Sequence, residues 1–276
     1  MALPTPVEHA TAADVLRRTN VRVLGNPDGR PMVFAHGFGC SQEMWRLLTP
    51  EFERDHLVVL YDLVGAGGSD LSAYDRGRYD SLHAHADDLA GILAALDLND
   101  AVLVAHSVST MIAVLAAVQV PERVGALVLV GPSPRYINDQ GYVGGFERAD
   151  IDALLETLDA NYLGWSSAMA PVIMGNPDQP ELGQELTDSF CRVDPAIAAH
   201  FARVTFLSDN RGDLAAVRTP TLVVQCSDDV IAPHQVGVFV HESIAGSELV
   251  VLSATGHVPH LSAPEELAAA MRRYLG

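Results

Sequence analysis

Short apolar runs alternate with amphipathic segments along most of the 276-residue chain, and this alternation predicts strands separated by helices. Strands are predicted at residues 21–24, 31–35, 57–61, 101–104, 126–130, 221–225 and 249–252. Helices are predicted around Glu43 to Leu48, over Leu82 to Leu96, up to about Val118, and from Pro264 to Leu275. Strands that alternate with helices form a mostly parallel sheet with helices on both faces, so the predicted fold class is α/β.

The alternation stops between about Ser133 and Ser208, where apolar residues recur at helical spacing. We therefore expect one core, residues 1–132 and 209–276, interrupted by a helical cap over residues 133–208 after the sixth strand. A cap covers a pocket with apolar groups, so its aromatic residues are either cap core or pocket wall. Phe146, Trp165 and Phe206 are the candidates for the wall. Up to about residue 20 the chain reads as a short extension, partly helical.

Composition narrows the classes of function. No window of about 18 uninterrupted apolar residues occurs, and the N-terminal residues lack a cationic start followed by an apolar stretch. We therefore expect no membrane span and no secretory signal, and a cytoplasmic location. The three cysteines, Cys40, Cys191 and Cys226, are widely separated and odd in number, which fits a reducing compartment rather than a disulfide framework.

The charge and the missing motifs argue for a small neutral ligand. A formal net charge of −18 repels polyanions, so neither nucleic acid nor a membrane is an expected partner. The sequence holds no P-loop lysine after the turn from Asp62 to Ser69, no G-x-G-x-x-G and no H-E-x-x-H, and we expect neither a cofactor nor a metal. That turn is interpreted as structural. His83 and His85 stand two apart on a predicted helix and are expected to be exposed.

Ala105-His106-Ser107-Val108-Ser109 follows an apolar strand and is the segment richest in chemistry. A serine on a sharp turn between strand and helix is the nucleophile elbow, usually G-x-S-x-G, in which small flanking residues let strand and helix approach. Ala105 and Ser109 are small, although neither is glycine. The alternative is that Ser107 only caps a helix.

An acid and a histidine follow in the order that a Ser-Asp/Glu-His hydrolase requires. The strand at 221–225 leads into Asp228 and Asp229, and the strand at 249–252 leads into His257. The carboxyl ends of parallel strands meet at one edge of a sheet, so these groups are expected to converge there. Asp229 is preferred to Asp228 as the orienting acid. His257, after Gly256, is preferred as the base, whereas His260 is interpreted as closing the pocket rim.

Acyl transfer also needs donors for the developing oxyanion. The expected donors are the backbone N–H groups of Val108, directly after the nucleophile, and of Phe38 in the turn His36-Gly37-Phe38-Gly39. His106 and Val230 flank the predicted catalytic groups and are further candidates for the pocket wall. Cys40 and Cys226 lie beside the site without an elbow and are expected to pack in the core.

Several segments resemble the RsbQ family of bacterial energy-stress regulators and, more distantly, the plant strigolactone and karrikin receptors. They are residues 35–40, 61–65, 105–109, 131–136, 161–165 and 225–233. The resemblance implies an α/β-hydrolase fold with a four-helix cap, a Ser107, Asp229 and His257 triad, and Phe38 and Val108 as oxyanion donors. It also implies a small hydrophobic ligand such as a butenolide or another ester or lactone, and a protein phosphatase partner. Ala105 stands where glycine is usual and leaves less room behind the elbow, so we expect this difference to affect the turnover rate more than the fold.

Two hypotheses of different kinds follow. The chain is a cofactor-independent serine hydrolase of a small apolar ester or lactone, or it is a ligand-sensing module whose slow hydrolysis alters a cap that binds a protein partner. A dehalogenase would need aspartate where Ser107 stands. Peroxide-dependent halogenation and carbon–carbon bond hydrolysis use the same three residue types and stay open at this stage.

Overall fold

The computed structural model describes residues 12–276, in which seven strands form one sheet in the order β1-β3-β2-β4-β5-β6-β7. The strands are β1 Arg22–Gly25, β2 Arg30–Ala35, β3 His56–Leu60, β4 Ala101–His106, β5 Val124–Val130, β6 Thr221–Asp228 and β7 Glu248–Thr255. The edge strand β1 is antiparallel to β3, and every other pair is parallel. This arrangement agrees with the predicted mostly parallel sheet.

Helices cover both faces of the sheet. They are α1 Ala12–Arg18, α2 Leu82–Ala95, α3 Val108–Gln119, α4 Arg148–Met174, α5 Pro180–Cys191, α6 Pro195–Phe206, α7 His234–Ser243, α8 Pro259–Ser262 and α9 Pro264–Leu275. The central strand β4 is buried throughout: Leu103 packs in the cluster with α2 and α3, and Val104 packs in the cluster with α9. Burial on both faces explains why β4 is an unbroken apolar run rather than an alternating one.

The pattern-based predictions hold for all seven strands and for α9, whose bounds match. The helix predicted around Glu43 to Leu48 is instead a short 3-10 helix, Gln42–Trp45, followed by a turn. The predicted insertion after the sixth strand was wrong by one, because a single strand, β1, precedes β2 in the described chain and β5 is therefore the fifth. The expected exposure of His85 was also wrong: it is 1% exposed against the rings of Tyr79 and Phe201.

Three helices, α4, α5 and α6, occupy most of the segment between β5 and β6. Residues 133–147 of that segment are turns and isolated bridges rather than helix, because they close a small loop through the Ile137–Phe146 bridge. Asn161 interrupts α4 with non-helical angles, and its side chain accepts the Gly164 N–H at 3.0 Å, which restarts the helix. The division into core and cap at residues 133 and 208 stays a proposal.

The predictions that concern the first residues lie partly outside the description. Residues 1–11, on which the expectation of no secretory signal rests, are outside the described residues. The part of the predicted extension that is described contains α1, whose Val15 is buried against the α2 side of the core. Within residues 12–276, no helix is long and apolar enough to cross a membrane.

Candidate active site

Ser107 stands on the turn between β4 and α3 in a conformation that few side chains adopt. Its φ is 56° and its ψ is −125°, in the region of positive φ that glycine favours. The strain is held by the surroundings, because the Ser107 N–H donates to the Val130 carbonyl at 2.9 Å and Ser109 Oγ donates to the His36 carbonyl at 2.5 Å. The turn therefore forms without the usual glycines, with Ala105 fully buried beneath it.

Ser107, His257 and Asp229 form a continuous chain of hydrogen bonds. His257 Nε2 lies 2.8 Å from Ser107 Oγ, and His257 Nδ1 lies 2.7 Å from Asp229 Oδ2. The other carboxylate oxygen, Asp229 Oδ1, accepts the N–H groups of Ile231 at 2.8 Å and Ala232 at 3.0 Å. All three side chains are buried. This geometry suits a hydroxyl whose proton passes to an imidazole that a fixed carboxylate orients.

The two alternatives to these partners lie elsewhere. Asp228 is exposed at the end of β6. His260 is fully buried, with its ring centre 4.3 Å from that of Trp45 and 4.6 Å from that of His106, so it does not close the pocket rim as expected. Neither ring nitrogen of His260 has a hydrogen-bond partner among the described residues. Burial lowers the pKa of His260 to about 3, which keeps it neutral.

The backbone of His257 is held on both sides. Its N–H donates to the Ile173 carbonyl near the end of α4 at 2.9 Å, and its carbonyl accepts from His106 Nε2 at 2.7 Å. His106 therefore carries its proton on Nε2, and its buried Nδ1 has no partner within the described chain. Burial also lowers the pKa of His106 well below its ordinary value. The position of His257 thus depends on a neighbour of the nucleophile and on α4.

Gly131, the first residue after β5, lies under the His257 ring. Its φ is +57°, and a Cβ atom there would stand 3.1 Å from His257 Cε1 and 3.6 Å from Asp229 Oδ2. Sequence reasoning missed this residue as part of the site. Its position at the carboxyl end of a strand, between the strands that deliver Ser107 and Asp229, was the signal that could have found it.

The two backbone N–H groups predicted as oxyanion donors, those of Val108 and Phe38, form no hydrogen bond to the rest of the described chain. Val108 is the first residue of α3, so its N–H has no intrahelical acceptor, and the helix dipole favours negative charge at that end. The Phe38 N–H likewise makes no hydrogen bond to another residue of the described range. Phe38 itself packs among Trp165, Phe190 and Phe201. The arrangement leaves two N–H groups free to stabilise an oxyanion.

A small, mostly apolar cavity opens onto Ser107 and His257. Its lining consists of Phe38, Cys40, His106, Ser107, Tyr136, Trp165, Ile173, Leu186, Phe190, Thr205, Phe206, Ile231, His257 and Val258. Of the wall residues predicted from sequence, His106, Trp165 and Phe206 line it. Phe146 and Val230 do not.

The two exceptions have local reasons. Phe146 is only partly buried and packs at the margin of the apolar cluster that α4 to α6 form, without reaching the cavity lining. Val230 is 48% exposed, whereas its neighbour Ile231 turns inward because Asp229 holds the Ile231 N–H. Successive residues of this tight loop point in opposite directions, which the sequence could not indicate.

Tyr136 is a further lining residue that sequence reasoning did not single out. It is 2% exposed, its ring lies 5.0 Å from that of Phe206, and its hydroxyl lies near the Ser107 side chain. Burial raises the pKa of Tyr136, so the phenol stays protonated at neutral pH. The signal in the sequence was its place at the end of the segment 131–136, just after β5.

The remaining polar groups near the site are structural. Asp62 accepts from the Gln42 backbone at 2.8 Å and from the Gly68 N–H at 2.9 Å, and so fastens the turn. Burial raises the pKa of Cys40 and of Cys226 to about 12, so both stay thiols. Cys40 lines the cavity, whereas Cys226 lies in β6. Within residues 12–276, no group of three or more His, Cys, Asp or Glu residues is arranged to hold a metal ion.

Comparison with known proteins gives consistent relatives. Residues 32–270 match the model of the alpha/beta hydrolase family. The chain is 40% identical to strigolactone esterase D14 of Arabidopsis thaliana over 95% of its own length and 98% of that protein. It is 36% identical to karrikin insensitive 2 receptor CA of Petunia hybrida, over 93% of this chain and 95% of the receptor.

A solved structure with the same architecture comes from a bacterium. The hydrolase olei00960 of Oleispira antarctica superposes with a TM-score of 0.92 at 39% identity, covering 96% of this chain and 97% of that one.

Proposed function

The chain belongs to the alpha/beta hydrolase family, and from this premise we propose that it is a serine hydrolase that cleaves a small hydrophobic ester or lactone through an acyl-enzyme. The observation that carries the proposal is the hydrogen-bond chain from Ser107 through His257 to Asp229, at the wall of an apolar cavity. The three side chains follow the ends of three different strands, and catalysis is a function that requires them to be aligned.

Each group has a defined role in the proposed reaction. His257 Nε2 takes the proton of Ser107 as Oγ attacks the substrate carbonyl, and Asp229 stabilises the imidazolium through Nδ1–H. The N–H groups of Phe38 and Val108 stabilise the oxyanion. His257 then gives the proton to the leaving oxygen, which leaves an acyl group on Ser107. Water activated by His257 hydrolyses that ester and restores the enzyme.

The cavity supports a small, largely apolar substrate. Five aromatic side chains line it, and the protein's net charge of −18 disfavours anionic substrates. The name strigolactone esterase, carried by relatives at 40% identity, adds a butenolide ester or lactone as the class to test first. We propose that residues 133–208 form the lid that covers the substrate. We also propose that the protein is located in the cytoplasm.

Covalent labelling with a fluorophosphonate probe tests the nucleophile. We expect the probe to add one phosphonyl group to Ser107, and Ser107→Ala to abolish both labelling and hydrolysis of para-nitrophenyl butanoate. Ser109→Ala removes the neighbouring hydroxyl on the same turn and should leave labelling in place. Full esterase activity in Ser107→Ala would refute the proposal.

The acid is tested by a second pair. Asp229→Asn should lower kcat by about 10³- to 10⁴-fold because the histidine loses its orienting carboxylate. Asp228→Asn, at the exposed neighbour, should have no comparable effect. Equal losses in the two variants would contradict the assignment.

A second candidate function is a ligand sensor, and one observation favours it. Ile173 lies near the end of α4 and lines the cavity, and its carbonyl accepts the His257 N–H at 2.9 Å. A ligand that displaces Ile173 therefore displaces both α4 and the catalytic histidine. Relatives named as karrikin receptors support this reading, and the resemblance to the RsbQ family adds a protein phosphatase as the candidate partner.

Turnover separates the two functions. A sensor would bind a butenolide with single or very slow turnover and would lose signalling when exposed residues of α4, such as Leu163, are changed. An enzyme would turn over many times and would tolerate the same change. Steady-state kinetics of wild type and Leu163→Ser, together with pull-down of a co-encoded phosphatase, distinguish them.

A further inference from the structure

Thr205, on α6, lines the cavity and has a buried hydroxyl that forms no hydrogen bond within the described chain. The residue is 1% exposed and lines the cavity beside Phe206. Its Oγ1 has no hydrogen-bond partner among residues 12–276. A buried hydroxyl that is left unpaired is costly, and such groups in native proteins call for an explanation.

The other serine and threonine hydroxyls on α4, α5 and α6 are all engaged. Four of them donate to the carbonyl four residues earlier, as Ser and Thr commonly do within helices: Thr157 to Ala153, Ser166 to Tyr162, Ser167 to Leu163 and Thr187 to Gly183. The fifth, Ser189, donates to the Gly39 carbonyl at 2.9 Å. Thr205 is the exception in these three helices, and it is also the member of the set that lines the cavity.

The part of the cavity wall that α4 to α6 supply gives the Thr205 hydroxyl little else to bind. The other lining residues from α4 to α6 are Trp165, Ile173, Leu186, Phe190 and Phe206. Apart from the indole N–H of Trp165, these side chains present hydrocarbon. A bound water is favoured by two or more polar partners, which this wall scarcely offers. A substrate atom with a lone pair would satisfy the hydroxyl.

We propose that Thr205 is a specificity-determining residue that donates a hydrogen bond to a second oxygen atom of the substrate, in addition to the carbonyl that Ser107 attacks. The preferred substrates are then esters or lactones with an ether, carbonyl or ring oxygen in the part that the cavity encloses. The inference rests on the proposed hydrolase function and narrows its substrate class.

Matched substrates test the proposal. Para-nitrophenyl methoxyacetate and butanoate have nearly the same shape but differ by an oxygen in place of a methylene, as do the beta-methoxypropanoate and pentanoate esters. For each pair, the ratio of kcat/KM for the oxygen-containing ester to kcat/KM for the hydrocarbon ester is measured. Thr205→Val replaces the hydroxyl by a methyl group, and Thr187→Val does the same for a hydroxyl that is already bonded to its own helix.

In at least one pair, we expect the ratio to fall roughly five- to tenfold in Thr205→Val, the size of effect that one hydrogen bond produces, and to be unchanged in Thr187→Val. Comparing ratios between proteins cancels the higher intrinsic reactivity of the methoxy esters. Thr205→Ser, which keeps the hydroxyl, should retain most of the wild-type ratio.

The outcomes separate the two proposals. If wild type hydrolyses the esters and Thr205→Val leaves both ratios unchanged, Thr205 does not read a substrate oxygen and the inference is overturned. If wild type hydrolyses none of the esters, the proposed hydrolase function fails instead. If Thr205→Val is poorly folded, Thr205→Ala and Thr205→Ser supply the same comparison, since only the serine variant keeps the hydroxyl.

Discussion

Replacement of Gly131 by alanine should damage catalysis far more than stability. A Cβ at this position would stand 3.1 Å from His257 Cε1 and 3.3 Å from Nδ1, closer than the 3.5–4.0 Å of ordinary carbon contacts. The ring of His257 must then move by a few tenths of an ångström. It is hydrogen-bonded on both sides, to Ser107 and to Asp229, so a displacement lengthens one of these bonds.

The magnitude follows from two separate effects. Alanine at a φ of +57° costs about 1–2 kcal/mol of folding free energy, which corresponds to roughly 2–4 °C in Tm for a chain of this size. Misplacing a catalytic group by about 1 Å can cost about 10²-fold in rate, so a smaller shift of His257 should lower kcat by roughly 10- to 100-fold.

Gly141 provides the matched control. Its φ is +75°, and a Cβ there meets no other described atom within 4 Å. Gly141→Ala therefore carries the same backbone penalty without a steric neighbour, and it should lose stability like Gly131→Ala while keeping kcat. The assay is para-nitrophenyl butanoate hydrolysis with thermal unfolding of both variants. A Gly131→Ala enzyme with kcat within twofold of wild type would refute the idea that this glycine makes room for the catalytic histidine.

Two further predictions concern buried histidines. His106→Phe removes the donor that holds the His257 carbonyl at 2.7 Å, so kcat should fall about tenfold with a smaller change in KM. His106→Gln, whose amide can donate from a similar position, should recover part of the lost kcat. Equal kcat values in the two variants would count against this positioning role. Burial lowers the pKa of His85 and of His260 to about 3, below the unfolded value near 6.5, so only the unfolded chain takes up their protons as the pH falls below about 6.5. The unfolding free energy should therefore drop by about 1.4 kcal/mol per pH unit for each histidine between about pH 6 and 4. Urea titration at several pH values measures this slope, and His260→Phe should reduce it by the contribution of one histidine. An unchanged slope in His260→Phe would contradict the prediction.

Much of the fold was predictable because its signals are local. The buried runs of β2 to β6 stand out as apolar stretches, and α9 begins at a proline and ends at the C-terminus with the predicted bounds. The prediction failed for Gln42–Trp45, where a short helical pattern gave one turn of 3-10 helix, and for residues 133–147, where bridges replaced helix. In both places the chain is too short between turns for periodicity to decide the structure.

The buried histidines show a different limit. His85 lies on α2, where its spacing from His83 suggested a solvent-facing role, yet it packs against Tyr79 and Phe201. His260 was predicted to be part of a pocket rim and instead packs against Trp45. A polar residue's burial depends on which element packs over it, and the sequence of its own helix does not carry that information.

The sequence by itself determined the order of strands and helices and the positions at which Ser107, Asp229 and His257 leave the ends of β4, β6 and β7. Period and chain order are properties of neighbouring residues, and parallel strands bring their carboxyl ends to one edge whatever the details of packing. The tertiary structure alone decided that His257 is held by Ile173 and His106, that Gly131 lies beneath it, and that Thr205 and Tyr136 face the same cavity. Those contacts join residues far apart in the chain, and they depend on how each helix is rotated and seated against the sheet.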